Sequence, residues 1–174
     1  MLIVYGVPLR DARELIREFC QFALERFVKP SVIANANIRI RIIDRNDLPE
    51  DEREEMAEAG AWMTYDGKLN GKKLFTVKID NKSVNKLTEN TLTAYKTVLK
   101  LLAHEMVHVK QYLTNQLFDY SNGTHSRFEG KLYSLPTSKT MDWEYFNSPW
   151  EIEAYGLSEG LYYMYLQKVE SLWK

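Results

Sequence analysis

Apolar residues recur at helical spacing from Asp11 to Val28. Ala12, Leu15, Ile16, Phe19, Cys20, Phe22, Ala23 and Phe27 share one face, and the pattern predicts an amphipathic helix that Pro30 ends. Ahead of it, the short apolar run Leu2 to Tyr5 predicts a strand broken by Gly6 and Pro8. Asn37 to Asp44 (NIRIRIID) alternates Ile with Arg or Asn, which predicts a half-buried strand. Residues 44–66 hold nine acids against Arg45 and Arg53, and they predict a short acidic helix followed by a strand from Ala61 to Tyr65. Asp66-Gly67 and Asn70-Gly71 mark a turn, and Lys73 to Asp80 (KLFTVKID) is the next strand. A long helix is predicted from Asn90 to Asn115. Residues 116–148 carry no long period and predict a long loop with one short hairpin around Lys131 to Leu135. Pro149 suits a first helical position and opens a closing helix over 149–173.

The order of elements implies an α+β fold, with helices on one face of a small mixed sheet. No repeat, low-complexity tract or linker interrupts the chain, so residues 1–174 are expected to form a single domain.

Composition changes this picture little. A hydrophobic content of 45% and a charged content of 27% are ordinary for a globular domain, and a net charge of −1 gives no general attraction to nucleic acid or anionic membrane. Cys20 is the one cysteine, so no internal disulfide forms; its place in the apolar pattern predicts a buried core thiol. The start of the chain has no basic leader and no long apolar region, so no signal peptide is expected there. No apolar run approaches a membrane span, and a reducing, cytoplasmic location is the expectation. Charge is unevenly spread. Residues 66–100 contain eight lysines against Asp66, Asp80 and Glu89, a net +5 beside the acidic 44–66, and are read as solvated faces rather than a basic rim that favours acidic substrates or DNA-associated proteins.

The chemistry concentrates in His104-Glu105-Met106-Val107-His108, an HExxH sequence late in the long helix that holds two of the three histidines. Histidines at i and i+4 lie one turn apart on one face, spaced to share a metal ion. Glu105 projects about 100° from His104 and about 60° from His108, so it can act from beside the metal without ligating it. The wheel puts both histidines, with Thr97 and Gln111 nearby, at the border of an apolar arc made by Ala94, Tyr95, Val98, Leu99, Leu101, Leu102, Val109, Tyr112 and Leu113. This pattern predicts a Zn2+-dependent hydrolase with His104 and His108 as ligands and Glu105 as general base.

A catalytic zinc site needs a third protein ligand, and His125, Glu144, Glu151 and Glu153 are the downstream candidates. A ligand on an independent packed helix is stiffest, which favours the closing helix. Glu151 and Glu153 are about 200° apart there, so only one can face the metal. Glu153 shares its side with Leu157, Gly160 and Met164, and Glu151 shares its side with Ser158, Tyr162, Tyr165 and Val169. The wheel does not choose between them; Gly160, as a point of close helix approach, leans toward Glu153.

Three stretches, HEMVHVKQYL, HSRFEGKLY and SPWEIEAYG, together resemble the SprT-like zinc metallopeptidases of tailed phages and bacteria. The resemblance covers roughly residues 90–160, in Phe128, Gly130, Lys131 and Tyr133 and then Pro149, Trp150, Glu151, Glu153 and Ala154. It implies a minimal zincin-like fold: a small mixed sheet on the motif helix, an N-terminal helix and a late glutamate-bearing helix. The Glu-Ala pair is similar to the third-ligand segment of gluzincins, which implies Glu153 as ligand and Glu151 as a group that orients a histidine. Gly123-Thr124-His125 through Phe128 is in turn similar to the third-histidine segment of SprT-type enzymes, which makes His125 the alternative ligand. The Pro-Trp-Glu-x-Glu-Ala match is the longer one, and Glu153 is preferred. Tyr133, Tyr155 and His125 are the candidate donors to a reaction oxyanion. In zincins generally an edge strand beside the active-site helix pairs with the substrate, a role that would fall to Lys73–Asp80.

The function implied is that of a zinc endopeptidase acting on protein or peptide substrates. It would work in the cytoplasm of a bacterium or, if phage-encoded, of an infected host, meeting nucleic acid only through DNA-associated substrates. The competing readings are a catalytically silent zincin-fold binding or virion-associated protein, and a zinc amidase acting on a cell-wall peptide link. Oligomeric state is not legible.

Overall fold

A computed structural model describes residues 1–7, 10–82, 92–121, 123–135 and 143–172. The elements run β1 (Leu2–Tyr5), α1 (Arg10–Phe27), the single turn α2 (Pro30–Ile33), β2 (Ala36–Ile43), α3 (Glu50–Ala59), β3 (Ala61–Leu69), β4 (Lys72–Asp80), α4 (Leu92–Leu113), β5 (Leu117–Asp119), β6 (His125–Phe128), β7 (Lys131–Ser134), the single turn α5 (Trp143–Phe146) and α6 (Pro149–Leu172). The result is a mixed α+β fold, as the patterning implied. Pro8, Asn90 and residues 136–142 lie outside the described residues.

The main sheet has the order β1-β2-β4-β3. β1 and β4 run parallel to β2, and β3 runs antiparallel to β4. Alternation in β2 and β4 sends Ala36, Ile38, Ile40, Phe75, Val77 and Ile79 to one face, where α1 and α4 cover them. Arg39 and Arg41 point the other way and stay exposed. The main core joins that face to Ile16, Phe19 and Cys20 of α1, Leu102 and Val109 of α4, and Leu161 and Tyr165 of α6. Cys20 is buried as expected, and burial pushes its thiol pKa up, away from reactivity. Among the described residues no helix is long and apolar enough to cross a membrane.

Three sequence expectations are corrected. First, β3 continues to Leu69, beyond Tyr65. Asp66-Gly67 forms an irregularity within the strand, where the register shifts between Tyr65 and Lys68, and only Asn70-Gly71 makes the turn, with positive φ at both residues. Second, Lys73–Asp80 is not an edge strand: β4 is held between β2 and β3, and β3 is the edge beside the motif helix. Third, the long loop contains a second sheet of order β5-β6-β7. Its hairpin begins at His125, upstream of Lys131. Strands of three and four residues are too short to display a period of two, which is why the segment reads as a loop with only one hairpin. This small sheet is fastened by a separate apolar cluster of Leu117, Phe128 and Trp150, so it packs on the first turn of α6.

The exit from β1 depends on Gly6. Its φ is +77°, and a Cβ there would lie 2.6 Å from the Ile42 carbonyl oxygen. Gly71 has a similar φ, +76°, with nothing within 4 Å of a built Cβ. Gly71→Ala should therefore incur only the backbone strain, of order 1 kcal/mol, and Gly6→Ala clearly more, because a backbone oxygen must also move. Urea denaturation of the two variants checks this; equal losses would show that the clash is relieved without cost.

Candidate metal centre

α4 is the central helix of the molecule, packed by α1, α6 and the main sheet. At the level of the motif Ala103, Met106, Val107 and Val109 are all buried, so the apolar arc closes nearly all the way round. The motif polar groups do not sit at an open border. They occupy a polar gap in an otherwise apolar circumference, with Glu105 only 4% and His108 only 8% exposed.

α6 faces that gap. Its buried side is Trp150, Glu151, Ala154, Leu161, Tyr162 and Tyr165, and Ala154, fully buried one turn past Glu151, lets the two helices lie close. The resulting triangle is tight. His104 Nε2 and His108 Nε2 are 3.1 Å apart, His104 Nε2 lies 3.2 Å from Glu151 Oε2, and His108 Nε2 lies 3.4 Å from Glu151 Oε1. A tetrahedral ion with bonds of about 2.0–2.1 Å to nitrogen and oxygen spaces its ligand atoms about 3.3 Å apart, so the triangle has the right edge length. The donor chemistry also fits, since two imidazoles and a carboxylate form a common ligand set for a borderline divalent ion. Glu151 Oε2 is buried with no aligned hydrogen bond, although it lies within ion-pair distance of His104. His104, His108 and Glu151 are thus a buried group able to hold a metal ion.

His108 is oriented by its own helix. Its Nδ1 lies 2.9 Å from Gln111 Oε1, a carbonyl oxygen that can only accept, so Nδ1 carries the proton and Nε2 faces Glu151 and His104.

The electrostatics follow from burial. Burial pushes the Glu105 carboxyl pKa up, against the opposing pull of the two histidines and of the Met63 backbone amide directed at it. Burial alone would lower His108, but hydrogen bonding to Glu151 and the Glu151 charge outweigh it and raise the imidazole to about 9. For Glu151, burial is in turn outweighed by the histidines, which draw it down to about 2. Tyr145, on the turn just before α6, lies within hydrogen-bonding reach of Glu151; burial first and the Glu151 charge second push its hydroxyl pKa far up, so it stays a protonated donor.

These groups line a cleft of about 580 Å³. Ala61, Trp62 and Met63 of edge strand β3 form one wall, and Tyr145 and Tyr155 stand opposite. The Gly60 carbonyl accepts from the Asp80 amide at 2.9 Å, so Gly60, Trp62 and Thr64 are the residues that exchange bonds with β4. The backbone groups of Ala61 and Met63 consequently point away from the sheet, toward the cleft side.

The structure redistributes the other site residues expected from sequence. Glu153, the expected third ligand, is turned away from the histidines and bound by Lys110 Nζ at 2.6 Å, Gln111 Nε2 at 2.8 Å and Gln116 Nε2 at 3.2 Å. Glu151, expected to orient a histidine, is instead the carboxylate that lies with the two histidines in a group able to hold a metal ion. Gly160, the reason for leaning toward Glu153, is exposed with nothing within 4 Å of a built Cβ, so no neighbouring helix approaches it among the described residues. His125, on β6, has its Nδ1 2.7 Å from Thr124 Oγ1 and belongs neither to the triangle nor to the cleft lining. Tyr133 packs edge-on against Trp150, a structural role. Tyr155 does reach the site, its ring 4.4 Å from that of His104. Glu144 is exposed. Of the lysines, Lys73 is tied to the Tyr112 carbonyl and Asn115, Lys78 to Glu52 and Lys100 to Glu159. Sequence reasoning missed Tyr145, which has no spacing relation to the motif, and the orienting role of Gln111, whose signal was its place one turn beyond His108 on the same face.

No protein-family model, curated protein or solved structure matches the chain.

Two outcomes follow from this geometry. Zinc titration should give about one equivalent for wild type, for His125→Ala and, at saturating metal, for Glu153→Ala, and loss of tight binding for Glu151→Ala; retention by Glu151→Ala would displace it from the ligand set. In the metal-free protein at pH 7 the raised His108 pKa leaves that imidazole protonated, so metal uptake must expel a proton and affinity must fall as pH is lowered. Calorimetry in buffers of different ionisation heat reads this directly, and buffer-independent heats would contradict the assigned charge state.

Proposed function

We propose that the protein is a zinc-dependent endopeptidase, with His104, His108 and Glu151 as ligands and Glu105 as general base. The observation that carries the reading is the coincidence, in one cleft, of a triangle of donor groups with a fourth buried group, the Glu105 carboxylate, beside it. The His-His-Glu set favours the gluzincin resemblance over the third-histidine pattern of SprT-type enzymes. The small mixed sheet, with its antiparallel edge strand alongside the motif helix and its late glutamate-bearing helix, supports a minimal zincin-like layout.

A bound zinc ion supplies polarisation of the scissile carbonyl and a nucleophilic water near neutral pH. The chain does the rest. The edge of β3 offers the Ala61 backbone groups and the Met63 carbonyl to an extended peptide by strand addition, while the Met63 amide is directed at Glu105. Glu105, its basicity raised by burial, takes a proton on its carboxylate and returns it to the leaving amine. The Tyr145 hydroxyl, a protonated donor lining the cleft, would turn to the negative charge developing on the carbonyl oxygen. Apolar walls from Trp62, Leu101 and Trp150 limit water around the reacting atoms.

Glu105→Gln keeps the shape and the metal, and should lower hydrolysis of an unfolded-protein substrate by about 10²–10⁴-fold. Full zinc occupancy with unchanged cleavage would refute the mechanism. Tyr145→Phe should lower kcat by about 10²-fold with KM nearly unchanged; weakened zinc binding at intact kcat would instead assign the hydroxyl to holding Glu151.

A further inference from the structure

We infer that Glu153 is a positioning residue for the metal ligand His108, acting through the side-chain amide of Gln111. The inference rests on the metal-site reading above.

Gln111 is fully buried one turn after His108. The two ends of its amide are nearly the same shape, and whichever end faces His108 dictates what Nδ1 must do. If the carbonyl faces Nδ1, Nδ1 must donate and Nε2 is left for the metal. If the NH2 group faces Nδ1, Nδ1 must accept and the proton moves to Nε2, which is the wrong form for a ligand at that atom.

The choice is made on the far side of the amide. Gln111 Nε2 lies 2.9 Å from the Trp150 carbonyl oxygen and 2.8 Å from Glu153 Oε2. A carbonyl oxygen and an ionised carboxylate can only accept. A reversed Gln111 would press its own oxygen against both, in a buried site where repulsion is little screened. Two acceptors therefore fix the NH2 group toward α6 and the carbonyl toward His108, independent of how the amide atoms are labelled.

Glu153 is in turn held in place. Lys110 Nζ and Gln116 Nε2 both donate to its other oxygen, Oε1. The chain of contacts runs from a lysine through a carboxylate and an amide to an imidazole, joining α6 to α4 behind the ligand. Partners of this kind typically change metal affinity by about 10–100-fold when removed. The reversal relative to sequence expectation is complete: Glu151 ligates, and Glu153 orients a histidine.

Zinc affinity measured by competition with a chromophoric chelator tests the inference. Glu153→Ala should weaken binding by about 10–100-fold. Lys110→Ala leaves the acceptor for Gln111 in place and should weaken it by less than about fivefold, the worth of a partly exposed ion pair. In a Gln111→Ala background, Glu153→Ala should add nothing, because the path is already cut. Wild-type affinity in Glu153→Ala, equal losses in Lys110→Ala and Glu153→Ala, or additive losses in the double variant would each overturn it.

A second readout needs no metal and no activity. In the zinc-free protein the His108 Nδ1 proton should appear in the NMR spectrum as a protected resonance. It should exchange faster in both Glu153→Ala and Gln111→Ala, while Glu153→Gln, which can still present a carbonyl oxygen to Gln111, should retain part of the protection. Unchanged protection in Glu153→Ala sinks the inference even if wild type binds no zinc, in which case the zinc reading fails separately.

Discussion

Burying three ionisable groups on one turn and a bit of helix is the constraint around which this molecule is arranged. His104, Glu105 and His108 sit in α4 where Leu102, Ala103, Met106, Val107 and Val109 are all withdrawn from water. An isolated charge in such a place costs several kcal/mol, and the structure tolerates these only because each meets a partner. The Glu151 carboxylate meets both imidazoles, the Met63 amide is directed at Glu105, and Gln111 satisfies the back of His108. Packing and charge balance are therefore a single problem here, and α6 solves most of it.

That dependence explains why the helices come together as they do. α6 contributes a carboxylate, a backbone carbonyl at Trp150 and a second carboxylate at Glu153, all within its first turn and a half, and all aimed at α4. The small sheet β5-β6-β7 fixes where that first turn begins, because Leu117 and Phe128 pack on Trp150. A segment that reads as a long loop with one hairpin thus anchors the residue next to Glu151. On the opposite side, β3 rather than β4 closes the cleft, which leaves outward-pointing backbone at Ala61 and Met63 beside Glu105.

Much of the architecture was legible in the chain. Alternation in NIRIRIID and KLFTVKID marked β2 and β4, and the apolar stripes marked α1, α4 and α6 to within a few residues. The site was legible as far as local spacing reaches: the HExxH residues needed nothing but helix geometry. The third corner of the triangle was within reach of the same logic. Glu151 shares its wheel face with Tyr162 and Tyr165, and that is the face the core buries, whereas the Leu157–Gly160–Met164 side that carries Glu153 is the more open one. Gly160 carried no information about the packed face, because a glycine permits close approach without requiring it and nothing lies within 4 Å of a Cβ there. The three-stranded sheet was not legible, since elements of three or four residues carry no measurable period.

The sequence by itself determined the longer elements and the pairing of two imidazoles with an intervening carboxylate, because both are set by periodicity within a single helix or strand. Only the tertiary structure decided which of two glutamates two residues apart completes the triangle, which strand is the edge, and that Tyr145 and Gln111 belong to the site. Those outcomes depend on the rotation of one helix against another and on strand order, quantities that arise from packing between distant segments and leave no trace in local spacing.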